Sequence, residues 1–159
     1  MKRSRVLVLG GYGGFGVRLS RRLARDGWAV LVAGRSAAKA VACAATLPNA
    51  RGIAANRNGD LALLLAEHDP LLVIDAAGPF QGSSYAVVEA CIAAGVHYLD
   101  LADGREFVRG IGQFDAAAQA AGIAVVSGAS SVPALSGAAI RHLAEGLDQL
   151  DRIELSITR

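Results

Sequence analysis

The strongest constraint on this chain lies in residues 6–16. An uncharged apolar run, Val6-Leu7-Val8-Leu9, passes directly into Gly10-Gly11-Tyr12-Gly13-Gly14-Phe15-Gly16, and Val17, Leu19, Leu23 and Ala24 then recur at helical spacing. Four apolar residues cut off by glycine read as a short buried strand, and the period that follows reads as a helix packed on it. A second apolar run, Ala29 to Ala33, completes a strand–helix–strand unit, and two strands joined through a helix lie parallel.

The alternation continues along the chain. Strands are expected at Arg5 to Leu9, Ala29 to Ala33, Arg51 to Ala55, Leu71 to Asp75, His97 to Leu101 and Ile123 to Ser127, with helices near 14–26, 36–46, 60–68, 82–94, 105–121 and 134–145. Asp60 and Ser36 stand where N-caps belong, and Gly27, Gly95 and Gly122 stand where helices should stop. These units predict an α/β fold: a doubly wound, mostly parallel sheet of about six strands with helices on both faces, Rossmann-like. At 159 residues and 16.3 kDa the chain has the size of one domain, expected over residues 1–150. In the last stretch, 151–159, Ile153, Leu155 and Ile157 alternate with Arg152, Glu154, Ser156 and Thr158. That period of two predicts a half-buried strand, either an edge strand of this sheet or the first strand of a second domain; the chain stops mid-pattern, which favours the second.

Composition excludes several classes. Hydrophobic residues at 53% and charged residues at 19% rule out a disordered chain. A net charge of +2 and 5% aromatic residues argue against a nucleic-acid surface. The charge is uneven, with nine Lys or Arg against Asp26 alone in residues 1–39 and seven against thirteen acids thereafter. Arg18, Arg21, Arg22 and Arg25 account for much of this as the solvated face of the first helix. Cys43 and Cys91 lie 48 positions apart with no CxxC and no Cys/His cluster, so neither a disulfide framework nor a metal site is indicated. The basic start lacks a long enough apolar run for export, and the uncharged residues 116–140 are broken by Gly122, Gly128, Pro133 and Gly137, so a cytoplasmic protein without a membrane span is expected.

Within the glycine turn, Gly11, Gly13 and Gly16 satisfy GxGxxG, and the strand before and helix after supply the context that gives this string meaning. In such a turn Gly11 permits the bend, Gly13 lets the backbone approach a pyrophosphate and Gly16 lets the helix pack close to the strand. Amides of Tyr12, Gly14 and Phe15, with the positive end of the helix, complete a phosphate cradle. An NAD site places an acid after the second strand for the ribose 2′-hydroxyl; here Gly34-Arg35-Ser36, with Lys39 a turn later, offers cations and a hydroxyl, which favours NADP over NAD. The alternative is that Arg35 and Lys39 only decorate a loop and a helix.

Ligands of open parallel sheets lie along the carboxyl ends of the strands, so the loops after the fourth, fifth and sixth strands should face the cofactor's far half. In the first of them, Ala76-Ala77-Gly78 would let ribose and nicotinamide lie against backbone and Pro79 would fix the turn. Acid–base candidates are His97, Tyr98, Asp100 and Asp103, with Ser130 and Ser131, although packing and capping explain them equally well, and strand alternation sends His97 and Tyr98 to opposite faces. No catalytic residue is assigned.

Gly10 to Gly16 with Gly34-Arg35, Ala76-Ala77-Gly78-Pro79-Phe80, Val87-Val88-Glu89-Ala90-Cys91 and Gly95-Val96-His97-Tyr98-Leu99-Asp100 closely resemble the NADP-binding domain of the saccharopine dehydrogenase family. The resemblance implies an oxidoreductase that transfers hydride between NADP(H) and a small substrate, with a following domain for substrate contacts and dimerisation, so that this chain alone would be inactive. It departs from the family at Ala102-Asp103-Gly104-Arg105-Glu106, where many members carry Gly-Glu. A non-catalytic protein that uses NADP as a regulatory ligand is the alternative.

Overall fold

The computed structural model describes residues 5–156. Its elements run β1 (Arg5–Leu9), α1 (Gly16–Arg25), β2 (Ala29–Gly34), α2 (Ala37–Ala44), β3 (Ala50–Ala54), α3 (Leu61–His68), β4 (Leu72–Asp75), α4 (Ala86–Ala94), β5 (His97–Asp100), α5 (Arg105–Gly110), a 3-10 turn (Ile111–Phe114), α6 (Asp115–Ala120), β6 (Val125–Val126), a kinked turn (Ser131–Leu135) and α7 (Ser136–Leu143). The six strands form one parallel sheet in the order β3-β2-β1-β4-β5-β6. The order reverses direction between β1 and β4, and this is where an open α/β sheet forms its binding crevice.

Strand alternation divides the core into two. Leu7 and Leu9 of β1 face α3 and α4 with Leu31, Val73, Leu61, Leu65, Val88 and Cys91, whereas Val6 and Val8 face α1 and α2 with Val30, Val32, Ile74, Ala24 and Ala44. Both faces of β1 are therefore dry, which is why the strand reads as an unbroken apolar run. Ser36 Oγ accepts from the Lys39 amide and Asp60 Oδ1 from the Ala62 amide, so both expected N-caps form. Gly27, Gly95 and Gly122 all take positive φ at helix ends.

Three expectations are corrected. The helix over 105–121 is two short helices around a 3-10 turn, because the Tyr85 hydroxyl donates to the Phe107 carbonyl and the Tyr85 oxygen stands where a Cβ on Gly110 would be, 2.1 Å away. The sixth strand shrinks to Val125–Val126, because the Ser127 hydroxyl and the Gly128 amide turn inward to Asp100. Residues 151–156 form no strand and are exposed, while 157–159 of that expected strand lie outside the described residues. No helix among the described residues is long and apolar enough to cross a membrane.

Candidate functional site

At the carboxyl ends of β1 to β4 lies a cleft of about 810 Å³ lined by the glycine turn, the ends of β2 and β3, and the loop after β4. Its size falls within the range of cofactor pockets, about 300 to 1,000 Å³. The left-handed residue of the glycine turn is Gly10, at φ +72°, which the GxGxxG string does not include. A Cβ on Gly10 would lie 3.0 Å from the Ala76 oxygen, so this glycine lets the loops after β1 and β4 meet at the switch point. Gly11 instead donates to the Ala33 carbonyl at 3.0 Å, and a Cβ there would lie 2.8 Å from the Val8 oxygen, so it ties the turn down to β2. A Cβ on Gly16 would come within 2.0 Å of the Gly10 oxygen, so only glycine admits the start of α1 this close to the turn after β1.

Gly13 and Gly14 are exposed above this floor, and nothing lies within 4 Å of where a Gly14 Cβ would be. Among the described residues, the Gly14 and Phe15 amides donate to no backbone acceptor. The Phe15 ring is 71% exposed beside them. Open glycine backbone at the start of α1 fits a diphosphate.

Tyr12, Gly13, Arg35, Ala76, Ala77, Gly78 and Pro79 line the cleft together. Gly11, Gly14, Phe15, Gly16, Ser36 and Lys39, also expected to bind the cofactor, are not among the residues that line it. Arg35 is exposed and forms no hydrogen bond or ion pair among the described residues. The Tyr12 oxygen accepts from the Ser36 amide at 2.9 Å, and this couples the glycine turn to the loop after β2.

The loops after β5 and β6 do not line this cleft, contrary to expectation; they close on each other instead. Asp100 is fully buried and accepts from the Tyr98 hydroxyl, the Ala102 and Gly128 amides and the Ser127 hydroxyl at 2.9 to 3.0 Å. Burial, with Asp100 beside it, pushes the Tyr98 hydroxyl above its ordinary range, so it stays protonated and donates to Asp100. The His97 Nδ1 accepts from the Ala124 amide, Asp103 accepts from Gln81, and the Ser130 hydroxyl donates to the Val132 carbonyl. These groups and Ser131, named as acid–base candidates, all lie outside the cleft lining.

The motif reading missed Asn56, Arg57 and Asn58 after β3 and Gln81 to Ser84 after Pro79, all of which line the cleft. The first group was within reach, since the carboxyl-end rule applies to β3 as it does to β4. Arg57 donates to Asp75 Oδ2 through Nη2 at 2.7 Å and Nε at 3.1 Å and to the Ser83 hydroxyl oxygen at 3.0 Å, with its guanidinium 5.1 Å from the centre of the Phe80 ring. Asp75 is fully buried at the end of β4, and its other oxygen accepts from the Ala77 amide. Burial raises the Asp75 carboxyl above the usual carboxylate range, and Arg57 pulls in the opposite direction. Together the two hold the Ala76–Pro79 turn in place under the cleft.

A family model described as the saccharopine dehydrogenase NADP binding domain matches residues 6–126, and the chain belongs to that family. No curated protein matches the sequence. Among solved structures it is similar to 3-hydroxyacyl-CoA dehydrogenase type-2 from Mycobacterium avium, at 21% identity and TM-score 0.61 over 78% of this chain and 72% of that one. It is also similar to an actinorhodin polyketide ketoreductase with NADPH, at 17% identity and TM-score 0.53 over 61% of this chain and 52% of that one. A third likeness is the Bordetella bronchiseptica enzyme WbmG in complex with NAD, at 21% identity and TM-score 0.51 over 60% of this chain and 36% of that one. The chain thus spans about half and about a third of the last two proteins, and at these identities the likeness is one of fold.

Proposed function

We propose that this chain is the NADP-binding part of an oxidoreductase. The observation that carries the reading is the pairing of an open glycine cradle at the start of α1 with an unengaged cation, Arg35, at the end of β2, where an NAD site would hold a carboxylate. The diphosphate lies over Gly13 and Gly14, the adenosine 2′-phosphate meets Arg35, Ser36 and Lys39, and the nicotinamide end lies against Ala76, Ala77 and Gly78 with Pro79 at its edge. Bound there, the cofactor supplies hydride transfer to or from a small substrate. The protein's own part is to hold the phosphates by backbone and cation and to keep the Ala76–Pro79 turn rigid through Asp75 and Arg57.

Substrate contacts and dimerisation belong, on this reading, to a second domain entered through residues 151–159, and the chain by itself binds cofactor without turnover in the cytoplasm. One observation favours a second reading, a regulatory NADP-binding protein: His97, Tyr98, Asp100 and Asp103 are engaged elsewhere and outside the cleft lining.

Fluorescence titration with NADPH and NADH tests the cofactor assignment. A charge-assisted contact from Arg35 is worth about 1.5 to 3 kcal/mol, so Arg35→Ala should weaken NADPH roughly ten- to hundredfold and leave NADH unchanged. Equal affinity for the two in the native chain defeats the assignment. NADPH oxidation by the longer protein against a panel of imines and 2-oxo acids separates the two readings, and silence across the panel supports the regulatory one.

A further inference from the structure

We infer that Tyr12 sets the preference for a 2′-phosphate, by presenting its phenolic proton to that group while its oxygen is anchored on the backbone behind; the inference rests on the cofactor reading above. A phenolic hydroxyl has one proton to give and lone pairs to receive. The Ser36 amide donates to this oxygen at 2.9 Å, which uses the accepting side and leaves the proton, and no acceptor takes that proton among the described residues. The ring is held as well as the oxygen. It lies flat against the end of β2, where a Cβ on Gly34 would come within 2.5 Å of Tyr12 Cε1 and 2.8 Å of its oxygen. Tyr12, Gly34 and Arg35 all line the cleft, and the anchored hydroxyl sits at the backbone of Ser36, the residue that follows the Arg35 assigned to the phosphate.

The arrangement has a chemical consequence. The Ser36 amide lies at the mouth of α2, where an anion would otherwise be received by backbone, and the phenol has taken its place. An oxygen that accepts from an amide is polarised toward giving up its own proton, so the phenol passes the amide's donor capacity outward to the ligand. A 2′-hydroxyl gains little from such a donor, whereas a phosphate oxygen carrying charge gains much more. Tyr12 therefore acts on the difference between the two dinucleotides rather than on their shared diphosphate.

The test is titration of the native chain, Tyr12→Phe and Arg35→Ala with NADPH, NADH, 2′,5′-ADP and 5′-ADP, with thermal melting to confirm that each variant is folded. Tyr12→Phe should weaken NADPH and 2′,5′-ADP by about tenfold and leave NADH and 5′-ADP within about twofold. Equal losses on all four ligands would mean that the ring only shapes the loop, and an unchanged preference would mean that the proton is not used; either result overturns the inference while the cofactor reading stands on Arg35→Ala. If the native chain shows no preference for NADPH, both fall together. Should Tyr12→Phe not fold, Tyr12→Leu, which keeps an apolar contact on Gly34 and offers no donor, must show the same selective loss for the inference to hold.

Discussion

Arg57 shows how one side chain can serve the cleft without belonging to any motif. It neutralises Asp75, braces Ser83 and lies over Phe80, so the loop after β3 is joined at one guanidinium to the end of β4 and to the loop that follows it. Asp75 is fully buried and the Arg57 side chain is 13% exposed, so Arg57→Ala strands a carboxylate in the core and should cost about 3 to 5 kcal/mol in urea denaturation. The sign of the pH dependence follows from the raised carboxyl. A carboxyl whose folded pKa lies above its unfolded value contributes stability below the unfolded value, near 3.8, and loses it as pH rises through the folded pKa. Without Arg57 that rise is larger, so the deficit of Arg57→Ala relative to the native chain should grow from about pH 4 towards neutrality. A deficit independent of pH would mean that Asp75 does not feel the guanidinium. Cys91, in the same core, is pushed up to about 12 by burial and by Asp75, so it behaves there as a small apolar side chain.

Among the elements, the close approach of α2 to β3 depends on a residue that no motif marks. A Cβ on Gly52 would lie 2.3 Å from the backbone of Ala40 and Val41, so the helix rests directly on the strand there. Gly52→Ala should force the two apart and destabilise the chain by about 1 to 3 kcal/mol, read from the urea midpoint. Because α2 starts at the loop carrying Arg35, the same variant should also weaken NADPH, while a change at the exposed Gly112, where nothing lies within 4 Å, should do neither. The glycine turn, by contrast, was readable in advance: Gly10 to Gly16 meet steric demands within one local stretch. What the motif could not say is that Gly10 takes the left-handed position against Ala76 and that Gly11 packs on Val8, since those neighbours and not spacing set the contacts.

Over the whole molecule, stability is unevenly distributed. β1, β2 and β4 are buried on both faces, whereas α7 buries no residue, ends on exposed Leu143 and is followed by exposed Leu147, Leu150, Ile153 and Leu155. Few apolar contacts hold residues 131–156, so their amides should exchange with solvent at least about a thousandfold faster than those of β1 and β4 in hydrogen-exchange mass spectrometry. Comparable protection would show that this segment packs on the core as firmly as α1 does. The exposed leucines also fit the proposed continuation into a further domain, which addition of the downstream residues would test by slowing that exchange.

By itself the amino-acid sequence determined the alternating elements, the parallel sheet with two dry faces, the helix caps at Ser36 and Asp60, and the place of the glycine turn between β1 and α1. These depend on periodicity, capping and steric size, which act over a few residues. Only the tertiary structure decided that Arg57 meets Asp75 from 18 positions away, that Asp100 is consumed by four donors from β5 and the loops after β5 and β6, and that Tyr12 rests on Ser36 across 24 positions. Those pairings arise where parallel strands bring distant loops to one edge of the sheet, and a polar side chain buried there takes whichever partner the packing sets beside it.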